Sequence, residues 1–176
     1  MTGVVADTSP LVALHQISLL SILPAFFGVV LIPPAVAQEA ISVNLESWME
    51  IRPLQNDIPA VVRRADLGLG ETEAISLAIE IKASRLIIDD SKARRLATSL
   101  GLSITGTTGL LLAAKQKGLI PSVRAPLDEL LIFNFRLHSD VRRSVLVSAG
   151  EVADKCDVPA SRTESSTSSK AAEGMA

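Results

Sequence analysis

The chain has 176 residues, 48% of them hydrophobic, and a formal net charge of −2. That length suits one domain with a full core, and the near-neutral charge excludes binding of a polyanion by bulk electrostatics alone. One cysteine, Cys156, and two widely separated histidines, His15 and His138, exclude an internal disulfide and a Cys/His zinc centre, and the lone thiol suits a reducing, cytoplasmic setting.

The first expected element is a strand at residues 4–6, within the stretch GVVADTSPLVAL, where an apolar, partly β-branched run ends in Asp7. A lone carboxylate at the end of a buried strand is costly unless it meets water, a cation or hydrogen-bond donors. Capping of the next helix is one outlet for it, but Pro10 has no N–H and leaves such a cap few donors. Helical segments follow from Ser9 to about Phe27, then a strand VVLIP at residues 29–33, then a helix PAVAQEAI with Pro34 in its first turn. Residues 8–38 lack Asp, Glu, Lys and Arg, yet Pro24, Gly28, Pro33 and Pro34 divide the run into pieces too short to span about 30 Å of hydrocarbon. MTGVVAD lacks the basic start of a signal peptide, so neither a membrane span nor a leader is expected. Further on, WMEIRPL reads as an edge strand or a loop, and DIPAVVRRAD as a short helix.

After Gly70 the alternation is clearer. ETEAISLAIEIKA is a helix that begins with its acids, RLIID a buried strand, SKARRLATSLG a helix with a glycine stop, and LSIT a short strand. TGLLLAAKQKG is a helix that ends in basic residues and glycine, and PLDELLIFNF and SDVRRSVLVSAGE are two more. Nearly all-apolar strands separated by helices imply a parallel sheet covered on both faces. From residue 152 the composition turns to Ser, Thr and small residues without apolar periodicity, which divides the chain into a domain at residues 1–151 and a disordered tail at 152–176.

In open parallel sheets ligands bind beyond the carboxyl ends of the strands. Asp7 ends the first strand, Asp89 and Asp90 end RLIIDD, Glu71 follows the LGLG turn, and Glu39 lies in the helix after the second strand. At about 100° per residue, Glu71 shares its helix side with Ile75 and Ala78, whereas Glu73 points nearly opposite, on the side of Glu80. Glu71 is therefore favoured over Glu73. Clustered carboxylates persist when a cation compensates them, and an all-oxygen set suits Mg²⁺ or Mn²⁺. Residues 82–117 carry seven basic residues against two acids, about +5 locally, and Lys92, Arg94, Arg95, Lys115 and Lys117 are the candidates for contact with a phosphodiester backbone. The glycines of LGLGE do not form GxGxxG after a strand, which argues against a dinucleotide site. Four Phe, one Trp and no Tyr argue against extensive base stacking. The TGTTG stretch at residues 105–109 reads first as a turn and second as a phosphate-receiving helix start.

DTSPLVAL, IPPAVAQEA, LGLGETEAISLA, LIIDDSKARRLA and GLSITGTTGLLLAAKQKGLIP, in this order, resemble the PIN-domain superfamily, near a prokaryotic branch beside the VapC-type toxin nucleases. The resemblance covers about residues 4–151. It implies a PIN-like, Rossmann-like α/β/α sandwich with a short parallel sheet, and a Mg²⁺- or Mn²⁺-dependent endoribonuclease that acts as the toxin of a toxin–antitoxin pair. By motif, the resemblance implies Asp7, Glu39, Glu71 and Asp89 as catalytic metal ligands, with Asp90 competing with Asp89 and with Ser9 and Glu73 as supporting residues. The third acid is usually Asp in the toxins and is Glu here. RNA, an antitoxin protein and a second copy of the chain are the implied partners. A catalytically silent PIN-like module that holds nucleic acid or protein is the alternative reading.

Overall fold

A computed structural model describes residues 3–151. Residues Val4–Ala6 form β1, and all three are buried, as expected of a strand covered on both faces. The chain continues through α1 (Thr8–Gln16) and α2 (Ile22–Phe27), β2 (Val30–Ile32), α3 (Pro34–Glu39), β3 (Met49–Ile51), α4 (Ala60–Arg63), α5 (Leu69–Glu80), β4 (Arg85–Ile87), α6 (Ser91–Ser99), β5 (Ile104–Thr105), α7 (Thr107–Gln116), α8 (Arg124–Ile132) and α9 (Ser139–Ser148). The apolar stretch at residues 8–38 is thus helices α1 and α2, strand β2 and most of α3, with Ser18 at φ +55° between α1 and α2. Among the described residues no helix is long and apolar enough to cross a membrane.

The five strands make one parallel sheet in the order β3-β2-β1-β4-β5. Val5 registers with Leu31 of β2 on one side and Leu86 of β4 on the other. WMEIRPL supplies the edge strand β3, whose half-buried to exposed residues explain why it is ambiguous as sequence. The core is aliphatic: Val5, Leu14, Leu23, Ile32, Ile75, Leu77, Ile87, Leu111 and Leu127 are all fully buried. Helix α5 packs on β1 and β4 and against α3, while α1 packs against α3 and α7, and α7 against α9. The result is the parallel sheet implied by the alternation, built as the Rossmann-like α/β sandwich implied by the family resemblance. Gly101 and Gly118 follow α6 and α7 at φ +76° and +72°, the left-handed helix stops read from their positions. The tail expected from residue 152 lies outside the described residues.

Two details position the site. Successive strands run outward from β1 in one direction to β3, and then from β4 to β5 in the other. The order therefore reverses between β1 and β4, where an open α/β sheet forms its crevice. Helix α5 starts at Leu69, two residues earlier than the acids suggest, so Glu71 sits inside its first turn.

Candidate active site

Asp7 follows β1 and Asp89 lies two residues beyond β4, so the two flank the reversal of strand order. The Asp7 amide extends the ladder by donating to the Ile87 carbonyl at 2.9 Å, and the Ile88 amide does the same to Thr105 at 2.8 Å. Backbone pairing thus delivers both carboxylates to one edge of the sheet.

Asp7 is fully buried, and neither of its carboxyl oxygens has a hydrogen-bond partner. It occupies the N-cap position of α1 with extended backbone angles but forms no side-chain cap bond. Burial is the largest influence on it and raises its pKa; the nearby Thr8 amide lowers it, Glu71 and Glu39 raise it, and the Ser9 amide lowers it. The net effect holds Asp7 at about 7. The two amides lean towards the carboxyl without reaching hydrogen-bond geometry, so capping does not account for it. A buried, orphaned carboxylate in the field of two other acids is the most costly polar group at this edge.

Glu39 and Glu71 approach from separate helices. Glu39 ends α3, and its carboxylate accepts from the Thr8 hydroxyl at 2.7 Å and from the Gly70 amide at 3.0 Å. It thereby ties the start of α1 to the first turn of α5. Gly70 is buried there, and a side chain at this position would collide with the Glu39 carboxylate and come within 2.9 Å of the Thr8 hydroxyl. Glu71 faces a cleft of about 1160 Å³, which it shares with Ser9, Asp89, Asp90, Arg94 and Arg95. Glu73 is turned away: it accepts the Ala35 amide at 2.9 Å and caps α3, which covers the side of α5 expected to face outward.

The two acids after β4 also differ. Asp90 is exposed and is the N-cap of α6, accepting the Ala93 amide at 2.8 Å. Asp89 is half-buried, with one oxygen accepting the Thr107 amide at 2.8 Å and the other the Thr107 hydroxyl at 2.5 Å. Burial raises its pKa, against the lowering effect of the two Thr107 bonds and of the Arg94 charge. The start of the TGTTG helix is therefore occupied by a carboxylate from this chain.

The basic residues of α6 and α7 divide in the same way. Arg94 and Arg95 line the cleft, with Arg94 donating to the Ile88 carbonyl at 2.9 Å. Lys92 reaches the Asp66 carbonyl at 2.6 Å, Lys115 pairs with Glu151 at 2.5 Å, and Lys117 lies 4.7 Å from the centre of the Phe26 ring. Those three lysines lie outside the cleft lining.

Sequence reasoning missed two groups. Thr8 and Thr107 support Glu39 and Asp89 across long sequence separations, and no local pattern marks them. The segment at residues 134–138, between α8 and α9, supplies much of the cleft wall, although its first two residues read only as the end of an apolar helix and the other three belong to no expected element.

The donor chemistry suits a hard divalent cation: acids from four elements stand at one sheet edge, and the most buried of them has both oxygens free. Preformed coordination is absent. Among the described residues no group of three or more Asp, Glu, His or Cys side chains is arranged to hold a metal ion. The fit is therefore one of ligand type and position.

The PIN-domain family model matches residues 3–151. No curated protein matches the chain.

Proposed function

The chain belongs to the PIN-domain family, whose fold is of nuclease type, and from that premise we propose that it is a Mg²⁺- or Mn²⁺-dependent endoribonuclease that hydrolyses RNA phosphodiesters. The observation that carries the reading is Asp7, a fully buried carboxylate with two unpartnered oxygens and a pKa pushed up to about 7 by burial and by its acidic neighbours. A folded protein tolerates such a group where a ligand completes it.

Asp7, Glu39, Glu71 and Asp89 would hold the cation, with Asp90 at the cleft rim. When bound, a divalent cation lowers the pKa of a coordinated water and stabilises charge developing on a phosphoryl group. The remaining work falls to the chain's own side chains. Thr107 fixes Asp89 through both oxygens, Thr8 and the Gly70 amide fix Glu39, and Arg94 and Arg95 bring positive charge to the cleft beside the acids. The similarity to VapC-type toxins extends the reading to a cytoplasmic toxin paired with an antitoxin, acting as a dimer.

Incubation of purified protein with RNA and Mn²⁺ tests the proposal. Cutting that is lost in EDTA and in Asp7→Asn supports it, and an Asp7→Asn protein that cuts as well as wild type refutes the assignment. Among the described residues no ligand group is preassembled, which is the observation that favours one rival, a silent binding module. RNA retention that survives both EDTA and Asp7→Asn, with no cutting, selects that rival.

A further inference from the structure

The segment at residues 134–138 forms one wall of the cleft. Asn134 turns the chain at φ +60°, a conformation asparagine tolerates, and its amide and that of Phe135 bond back to the carbonyls of Leu131 and Leu130 at 3.1 and 2.9 Å. Beyond the turn the side chains alternate. Phe135 and Leu137 are half-buried against the core, whereas Arg136 and His138 are exposed. Two apolar anchors therefore order the backbone that presents Arg136 to the cleft, which keeps the entropic cost of using it low.

Several cations of the domain are already engaged by other groups of the chain. Lys92, Lys115, Arg52 and Arg142 are paired with acids, Arg94 is held by the Ile88 carbonyl, and Lys117 rests on Phe26. Arg95 and Arg136 both line the cleft, and among the described residues neither makes a hydrogen bond or ion pair. Glu71, Asp89 and Asp90 line the same cleft, yet neither guanidinium pairs with them. Two free guanidiniums, brought from α6 and from the α8–α9 connection to one concavity, form a site for a partner with spaced negative charges. A guanidinium presents donors in a planar fork that matches phosphate oxygens.

We propose that Arg95 and Arg136 form a two-point phosphate-binding site that holds the backbone of the RNA strand beside the acid edge. The proposal rests on the ribonuclease reading. Arg95 and Arg136 are positioning residues: they fix the strand and take no part in bond cleavage, so their loss raises KM and leaves kcat within about twofold.

The test uses the full chain in EDTA and a fluorescein-labelled single-stranded RNA of on the order of ten nucleotides, with affinity read by anisotropy across a salt series. Arg136→Gln and Arg95→Gln are each expected to weaken binding about tenfold and to flatten the log–log salt slope by about 0.7, the value for one phosphate contact on a single strand. Arg136→Lys should keep the slope, since the charge remains. Arg143→Gln, at an exposed position of α9 outside the cleft lining, should match wild type. Unchanged affinity and slope in both glutamine variants overturn the site, and if wild type still cuts RNA in Mn²⁺ the ribonuclease reading survives that result. Arginine-dependent binding by a wild type that never cuts in Mn²⁺ supports the site and overturns the ribonuclease reading instead. An Arg143→Gln effect equal to that of Arg136→Gln also overturns the site, because binding is then diffuse.

Discussion

Replacing Asp7 by Asn should remove the pH dependence of stability that Asp7 contributes at the sheet edge. The folded protein holds the Asp7 proton to about 7, against an ordinary value of 3.8. Between those limits the folded state carries a proton that the unfolded state has released. Stability contributed by the protonated group is therefore fully present below pH 3.8 and is lost as pH rises through about 7. At 1.36 kcal/mol for each tenfold change in proton affinity, the full span is about 4 kcal/mol, or roughly 10 °C in Tm for a chain of this size. Asn is uncharged at every pH and removes this dependence, although its buried amide has its own desolvation cost. Urea unfolding of both proteins in EDTA at about pH 4 and about pH 8 reads the effect, because the titrating groups beyond Asp7 and its neighbours Glu39 and Glu71 behave alike in both. Asp7→Asn should gain on wild type by up to about 4 kcal/mol from the acid to the alkaline condition. Wild-type and variant curves that stay parallel within about 1 kcal/mol across the range would refute the reasoning.

Mn²⁺ should raise the Tm of wild type at alkaline pH and leave Asp7→Asn unmoved in a thermal-shift assay, because a ligand of the folded state stabilises it only where the site exists. Thr107→Val keeps the amide bond to Asp89 but loses the hydroxyl bond, and should cost about 1–3 kcal/mol in urea unfolding, with Thr107→Ser recovering most of it. Gly70→Ala should destabilise by about 1–3 kcal/mol in urea unfolding, since the methyl group pushes the Glu39 carboxylate off the buried Gly70 amide and crowds the Thr8 hydroxyl, which outweighs alanine's preference for the helix. It should also lower Mn²⁺-dependent RNA cutting about tenfold by displacing Glu39. Burial would raise the Glu151 pKa, but Lys115, Ser122 and the amides of Val123 and Arg124 hold it at about 2. Its contribution is present above pH 4.5 and is lost as pH falls towards about 2, so the stability gap between wild type and Glu151→Gln should close on acidification.

Strand positions are legible because a strand buried on both faces must be apolar: VVA and VLI are apolar throughout, and in RLI the buried Leu86 and Ile87 follow an exposed Arg85 at the strand start. Edge strand β3 is less legible, since one side of it needs no burial. Asp7 is legible as a charge where charge is expensive. The jobs of the other acids are not. Glu73 and Asp90 read as competitors of Glu71 and Asp89, yet each is bound to a helix amide, Ala35 and Ala93 respectively. Lys115 reads as a cation of the basic segment, and its ion pair with Glu151 depends on a residue thirty-six positions away.

The apolar periodicity, the proline and glycine breaks and the acids at strand ends are local properties, and they suffice for a parallel α/β sandwich with carboxylates at one edge. Partner choice is a long-range property. Whether Asp89 is held by Thr107, whether Glu39 bridges α1 to α5, and whether Arg136 shares a cleft with Arg95 depend on how the helices dock across the sheet. Hydrogen bonds and ion pairs act over a few ångströms, and only the packed core brings residues distant in sequence within that range.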